Sequence, residues 1–109
     1  MQNAEIYFSE DSELSEYEAV NKGYRHDVFV KMNQSIYHVF VYTLIRLQQD
    51  FETEMDNRGF YAVKPNLILV RNTDKYEIMS TINFLIGQDF FSNIKESSNI
   101  NIIDLIKVQ

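Results

Sequence analysis

Short alternating runs of apolar and polar residues open the chain and give way, at intervals, to longer helical spacings. AEIYFS, residues 4 to 9, alternates and predicts a first strand. The segment after it, residues 9–22, is dominated by carboxylates. Leu14, Tyr17 and Val20 fall three apart there, which leaves two readings open, a solvated loop or a short helix with one weak apolar side. Gly23 interrupts whatever precedes the next element. HDVFVKMNQSIYHVFVY, residues 26 to 42, predicts a hairpin of two β-rich runs around Asn33, Gln34 and Ser35. Val28, Val30 and Met32 oppose Phe29 and Lys31 in the first run. In the second, Ile36, His38, Phe40 and Tyr42 oppose Tyr37, Val39 and Val41. Both faces of that second strand are largely apolar, as in a central strand covered on each side or a strand with one face buried by a partner.

The period changes at Thr43, a residue suited to cap a helix N-terminus. Leu44, Leu47, Phe51 and Met55 follow as the stripe of a helix lying on a sheet, ending near Asn57 to Gly59. FYAV, residues 60 to 63, reads as a short strand, Pro65 and Asn66 as a turn, and LILV, residues 67 to 70, as a compact buried strand. Asp74 with Glu77 three residues on gives a capping-box spacing ahead of a second helix. Ile78, Ile82, Leu85 and Ile86 form its inward side and Gly87 its stop; Phe90 and Phe91 wedge a turn against the core. NINIIDLIKVQ, residues 99 to 109, reads as a last strand in which Ile102, Asp104 and Ile106 oppose Ile103, Leu105 and Lys107. The order predicts an α+β fold: a mainly antiparallel four- or five-stranded sheet with two amphipathic helices packed on one face.

The chain's 109 residues suit a single domain, 1–109, and its eight Phe and seven Tyr supply apolar surface for one core. With no Cys, disulfides and thiolate chemistry are excluded, which fits a reducing cytoplasm. MQNAEIYF lacks the basic and apolar regions of a signal peptide, and no apolar run approaches the roughly 18 residues that cross a membrane. A soluble, cytoplasmic protein with no membrane partner is expected.

Charge changes the picture more. Sixteen acids face ten bases, a net charge of -6, and residues 1 to 18 hold six acids and no base. Such a field repels phosphate backbones, so no direct nucleic-acid ligand is expected, whereas a basic protein surface is attracted. The acids form two groups. Glu10, Asp11, Glu13 and Glu16 belong to the first, together with Glu18. Asp50, Glu52 and Glu54 lie in the second, in DFETEMD on the first predicted helix, where Arg46 offsets Asp50 across one turn and Glu52 and Asp56 have no such partner. For any single carboxylate, keeping the surface hydrated is the commoner role. Two groups together favour a cationic partner, and seven of these acids, Glu10, Asp11, Glu13, Glu16, Asp50, Glu52 and Glu54, are the candidate partner-binding set. Tyr7, Tyr17 and Tyr24 near the first group are candidate aromatic anchors or core residues.

Catalytic and metal chemistry find less support. His26 and His38 sit in no nucleophile or metal motif, and an ordinary structural role is expected for both. There is no HExxH, no CxxC and no glycine-rich phosphate loop. DSELSEYE lacks the Gly that a calcium loop needs at its sharp turn, and a chain this short offers little room for a glycosidase cleft. A hydrolase built on His38 and a carboxylate is the weakest reading. The expectation is a non-enzymatic protein with no catalytic residue, no cofactor and no metal.

Three pieces, DVFVKMNQSIYHVFVYTLIRLQQDFETEM, GFYAVKPNLILV and a helix ending in LIGQDFF, together resemble small immunity proteins of bacterial polymorphic-toxin and contact-dependent growth-inhibition systems. The likeness lies in a hairpin, a "RLQQDFE" helix, an "NLILV" strand and a second helix closed by paired aromatics, within residues 27 to 91. It implies an acidic, cytoplasmic protein that binds a cognate toxin domain, often a nuclease with a basic active site, and covers or distorts that site. Contact residues vary within such families, so the seven acids above rest on charge alone. The alternative is an acidic secretion chaperone that holds an effector segment as a homodimer. The β-rich first half of the chain counts against it, although a homodimer stays open.

Overall fold

The structure, a computed structural model, describes residues 4–97 and 100–109. It is α+β, with a five-stranded mixed sheet and three α-helices. The elements are β1 (Ala4–Phe8), α1 (Glu13–Lys22), β2 (Tyr24–Met32), β3 (Ser35–Thr43), α2 (Leu44–Arg58), β4 (Leu67–Val70), α3 (Lys75–Gly87) and β5 (Ile106–Lys107), with single 3-10 turns at Phe90–Asn93 and Ile102–Asp104. The strands lie in the order β4-β3-β2-β1-β5. All neighbours are antiparallel except β3 and β4, which are parallel because the α2 crossover returns the chain to the starting end of β3. The sheet is therefore mixed, and the helix count is one higher than the two the sequence pattern predicts.

Registry explains which side becomes the core. Ile6 and Phe8 lie opposite Val30 and Val28, Val28 lies opposite Val39, and Val41 opposite Ile68, so these side chains share one face. Ile78 and Ile82 of α3 and Phe91 of the following turn close over it, all three essentially solvent-free. Burying each such side chain stabilises the fold by about 1.5–3 kcal/mol. The inward side expected of the second helix is thus in place. Thr73, fully buried, donates from Oγ1 to the Ala19 carbonyl (2.7 Å) and holds α1 beside α3.

The pair of helices on this side is α1 and α3, not the two anticipated from the pattern. None of the residues of α2 is buried. Leu47 and Met55 of its expected stripe are half-buried, but Leu44 and Phe51 are exposed. Instead α2 leaves β3 on the opposite side of the sheet, where the Arg46 guanidinium lies over the ring of Tyr24, 4.7 Å from its centroid.

Other departures have local causes. Residues 60–63 form no strand, since β4 already occupies the edge of β3 available to a returning segment. The C-terminal segment narrows to the two residues of β5 because a 3-10 turn at Ile102–Asp104 breaks its alternation; Asn99 of the expected strand lies outside the described residues. Gly87 remains inside α3, and the chain turns at Asp89, whose φ of 58° is left-handed. At the hairpin Asn33 takes the same kind of backbone (φ 57°), which asparagine tolerates better than most residues.

Candidate protein-interaction surface

Residues 13–22 resolve the ambiguity of the acidic segment in favour of a helix. Ser12 and Ser15 form a reciprocal cap: the Ser15 N–H donates to Ser12 Oγ (3.1 Å) and the Ser12 N–H to Ser15 Oγ (3.0 Å). Glu13 and Glu16 in the first turn and Lys22 in the last suit the helix dipole. Gly23 ends the helix with φ 75°, its N–H bonded to the Ala19 carbonyl.

What faces inward from α1 is small and polar. Ala19 is its only buried residue. Glu16 accepts the orphan N–H of Lys75 at the start of α3 with both carboxylate oxygens (2.9 and 3.0 Å), and Asp11 pairs with the Lys75 ammonium at 2.9 Å. The almost solvent-free Arg25 stacks over Phe8, pairs with Asp27 and donates to the Glu10 carbonyl. Burial opposes ionisation of Asp27, but bonds from Arg25, Ser9 and the Glu10 N–H outweigh it, leaving the pKa below the usual carboxylate value. Because a small residue and polar ties dock α1, its apolar residues are left outside. Leu14, Tyr17 and Val20 are 63, 67 and 42% exposed and form a stripe open to solvent, with Glu13 beside it.

A second exposed helix face belongs to α2. Thr43 caps it, accepting from the Arg46 N–H (3.3 Å), and Gly59 closes it with a left-handed φ of 81°. Leu44, Ile45 and Phe51 are solvent-facing. Val20 of α1 and Ile45 of α2 line the same depression where the two helix ends meet, so the apolar stripe of α1 continues toward α2.

The seven candidate acids therefore divide by task. Asp11 and Glu16 bind α1 to α3, Asp50 pairs with Arg46 at 3.1 Å as the spacing suggested, and Glu54 pairs with Arg58 at 3.1 Å. Glu10 accepts a bond from the Ser12 hydroxyl at 3.1 Å. Among the described residues, Glu13 and Glu52, together with Asp56, have neither salt bridge nor side-chain hydrogen bond. Sequence spacing carries no sign of the tie from Glu16 to Lys75, which joins residues 59 apart.

The sheet face away from the core carries linked aromatic rings. A bulge in β2 sets His26 and Asp27 against the single residue Phe40, and it turns Arg25 inward and His26 outward. His38 stacks between Phe29 and Phe40, with centroids 4.4 and 4.5 Å apart, and its Nε2–H donates to the His26 carbonyl. His26 Nε2 lies 2.6 Å from the Tyr42 hydroxyl. Burial lowers the His26 pKa, and the neighbouring Lys64 ammonium adds to the effect. Burial, with Tyr61 and Asp50 nearby, pushes the Tyr42 phenol up to about 12. No carboxylate hydrogen-bonds to either imidazole among the described residues, so nothing there places a nucleophile, base and orienting acid in sequence.

Among the described residues no group of three or more His, Cys, Asp or Glu converges as a metal site requires, and no helix is long and apolar enough to cross a membrane. No protein-family model, curated protein or solved structure matches the chain.

Proposed function

We propose that this protein is a non-enzymatic immunity protein that binds a cognate bacterial toxin domain and blocks its site with an acidic, aromatic-anchored surface. A nuclease is the toxin class that fits best, because a site built to hold phosphates supplies the complementary cations. The reading rests chiefly on the outward stripe of α1. A helix that exposes Leu14, Tyr17 and Val20 beside Glu13, which has no partner among the described residues, leaves apolar area uncovered and an acid uncompensated, and a cationic partner with an apolar centre relieves both. Glu52 and Asp56 on α2 extend the negative field that speeds such an encounter.

The test is co-expression with the product of the adjacent reading frame. The wild-type chain is expected to restore growth to cells making that product, and Tyr17→Ala with Leu14→Ser to lose the protection while the purified variant stays folded. A neighbour that is harmless, or whose toxicity the wild-type chain leaves unchanged, overturns the proposal.

A further inference from the structure

The depression between the C-terminal end of α1 and the first turns of α2 gathers three cations in an acidic molecule, each already facing one carboxylate that lies outside the lining. It measures about 360 Å³ and is lined by Lys22, Arg46 and Arg71 but by no carboxylate, in a protein of net charge -6. Asparagine and glutamine amides complete its polar lining, and Val20 and Ile45 give it an apolar rim.

Its shape is fixed by close backbone approach. The Thr43 N–H donates to the Gly23 carbonyl at 2.8 Å, and a Cβ at Gly23 would sit 2.8 Å from Thr43 Oγ1 and 3.1 Å from Arg46 Cβ. Arg46 is held by its stack on Tyr24 and by Asp50, which engages only Nε; both terminal nitrogens lack a partner among the described residues. Glu77 holds Arg71 through Nη2 alone at 3.2 Å, and Glu18 approaches Lys22 no closer than 3.6 Å. Each cation is thus tethered from outside the depression with donor capacity to spare.

We infer that this notch takes a carboxylate carried next to an aliphatic side chain, and that the protein partner supplies it as an Asp or Glu beside a Leu- or Val-like residue. Assigning the carboxylate to the partner rests on the proposed function; the notch's own affinity does not. A cationic partner that must also place one acid in this notch is selected by both signs of charge, and a merely basic protein is not.

The isolated protein provides the first test. N-acetyl-glutamyl-leucine amide titrated into the ¹⁵N-labelled chain is expected to shift the Gly23, Thr43, Ile45 and Arg46 amides saturably, and its glutaminyl counterpart to leave them in place. Replacing Lys22 and Arg71 by Ala together, at exposed positions, is expected to weaken the glutamyl peptide about fivefold or more. No saturable shift, or equal binding by the double variant, overturns the site. Inorganic phosphate binding the same amides more tightly than the peptide overturns the peptide carboxylate in favour of a small free oxyanion. In the complex, Arg71→Glu is expected to lower affinity about tenfold or more. Unchanged affinity there removes the partner assignment and leaves the immunity reading standing.

Discussion

At the scale of single residues, two glycines and two titrating groups make the account measurable. Gly23 and Gly59 both hold left-handed backbone, but only Gly23 lacks room for a Cβ. Gly59→Ala is expected to cost about 1 kcal/mol from the backbone alone, and Gly23→Ala distinctly more because Thr43 and Arg46 must move; urea unfolding of the two variants checks the order. The pKa of His26 lies below its ordinary 6.5, chiefly through burial. The unfolded chain therefore binds more protons just below that value, and the stability due to neutral His26 is present above pH 6.5 and lost as pH falls through the folded pKa. Asp27, lowered from 3.8, contributes stability that is lost only as pH falls below that ordinary value. Unfolding free energies measured stepwise from pH 8 to pH 3 should show two declines, and His26→Gln should abolish the first alone. An identical profile for the variant removes His26 as the cause.

At the scale of elements, α1 is docked by polar ties, and those ties can be cut separately from its outer face. Glu16→Ala removes the acceptor of the Lys75 N–H and is expected to cost about 1.5–3 kcal/mol, with faster hydrogen exchange confined at first to α1 and the start of α3. Glu13→Ala, which breaks no such bond, is expected to stay within about 0.5 kcal/mol. The same contrast explains what the sequence made legible. The alternation of β1, β2 and β3 and the inward isoleucines of α3 are decided by burial, which the pattern records directly. The Leu14, Tyr17 and Val20 spacing leaves a loop and a helix equally open, because the side of α1 that packs is a lone Ala19 backed by carboxylates and carries no apolar stripe. The stripe of α2 predicts a helix lying on the core, but α3 and Phe91 already fill that face. The β2 bulge, which turns Arg25 inward and His26 outward, depends on pairing with β3 and leaves no periodic trace. Of the candidate acids, composition located both groups; only three-dimensional pairing separates Glu13 and Glu52 from Asp11 and Glu16, which the fold itself uses.

At the scale of the whole molecule, that separation changes how the electrostatic proposal is tested. Neutralising Glu10, Asp11, Glu13 and Glu16 together mixes lost attraction with a loosened α1, since Asp11 and Glu16 anchor that helix. Glu13→Gln, Glu52→Gln and Asp56→Asn together leave the internal pairs intact. This triple variant is expected to associate with the partner several-fold more slowly at low salt, with a flatter dependence of the rate on ionic strength and little change in unfolding midpoint. The apolar stripe acts after encounter, so Tyr17→Ala should act mainly on dissociation. The most direct measurement is a side-chain footprint of the protein alone and bound to the product of the adjacent reading frame, by hydroxyl-radical labelling read out by mass spectrometry. Strong protection of Leu14 and Tyr17 on binding is the expected result; a bound complex in which both remain as reactive as in the free protein contradicts it.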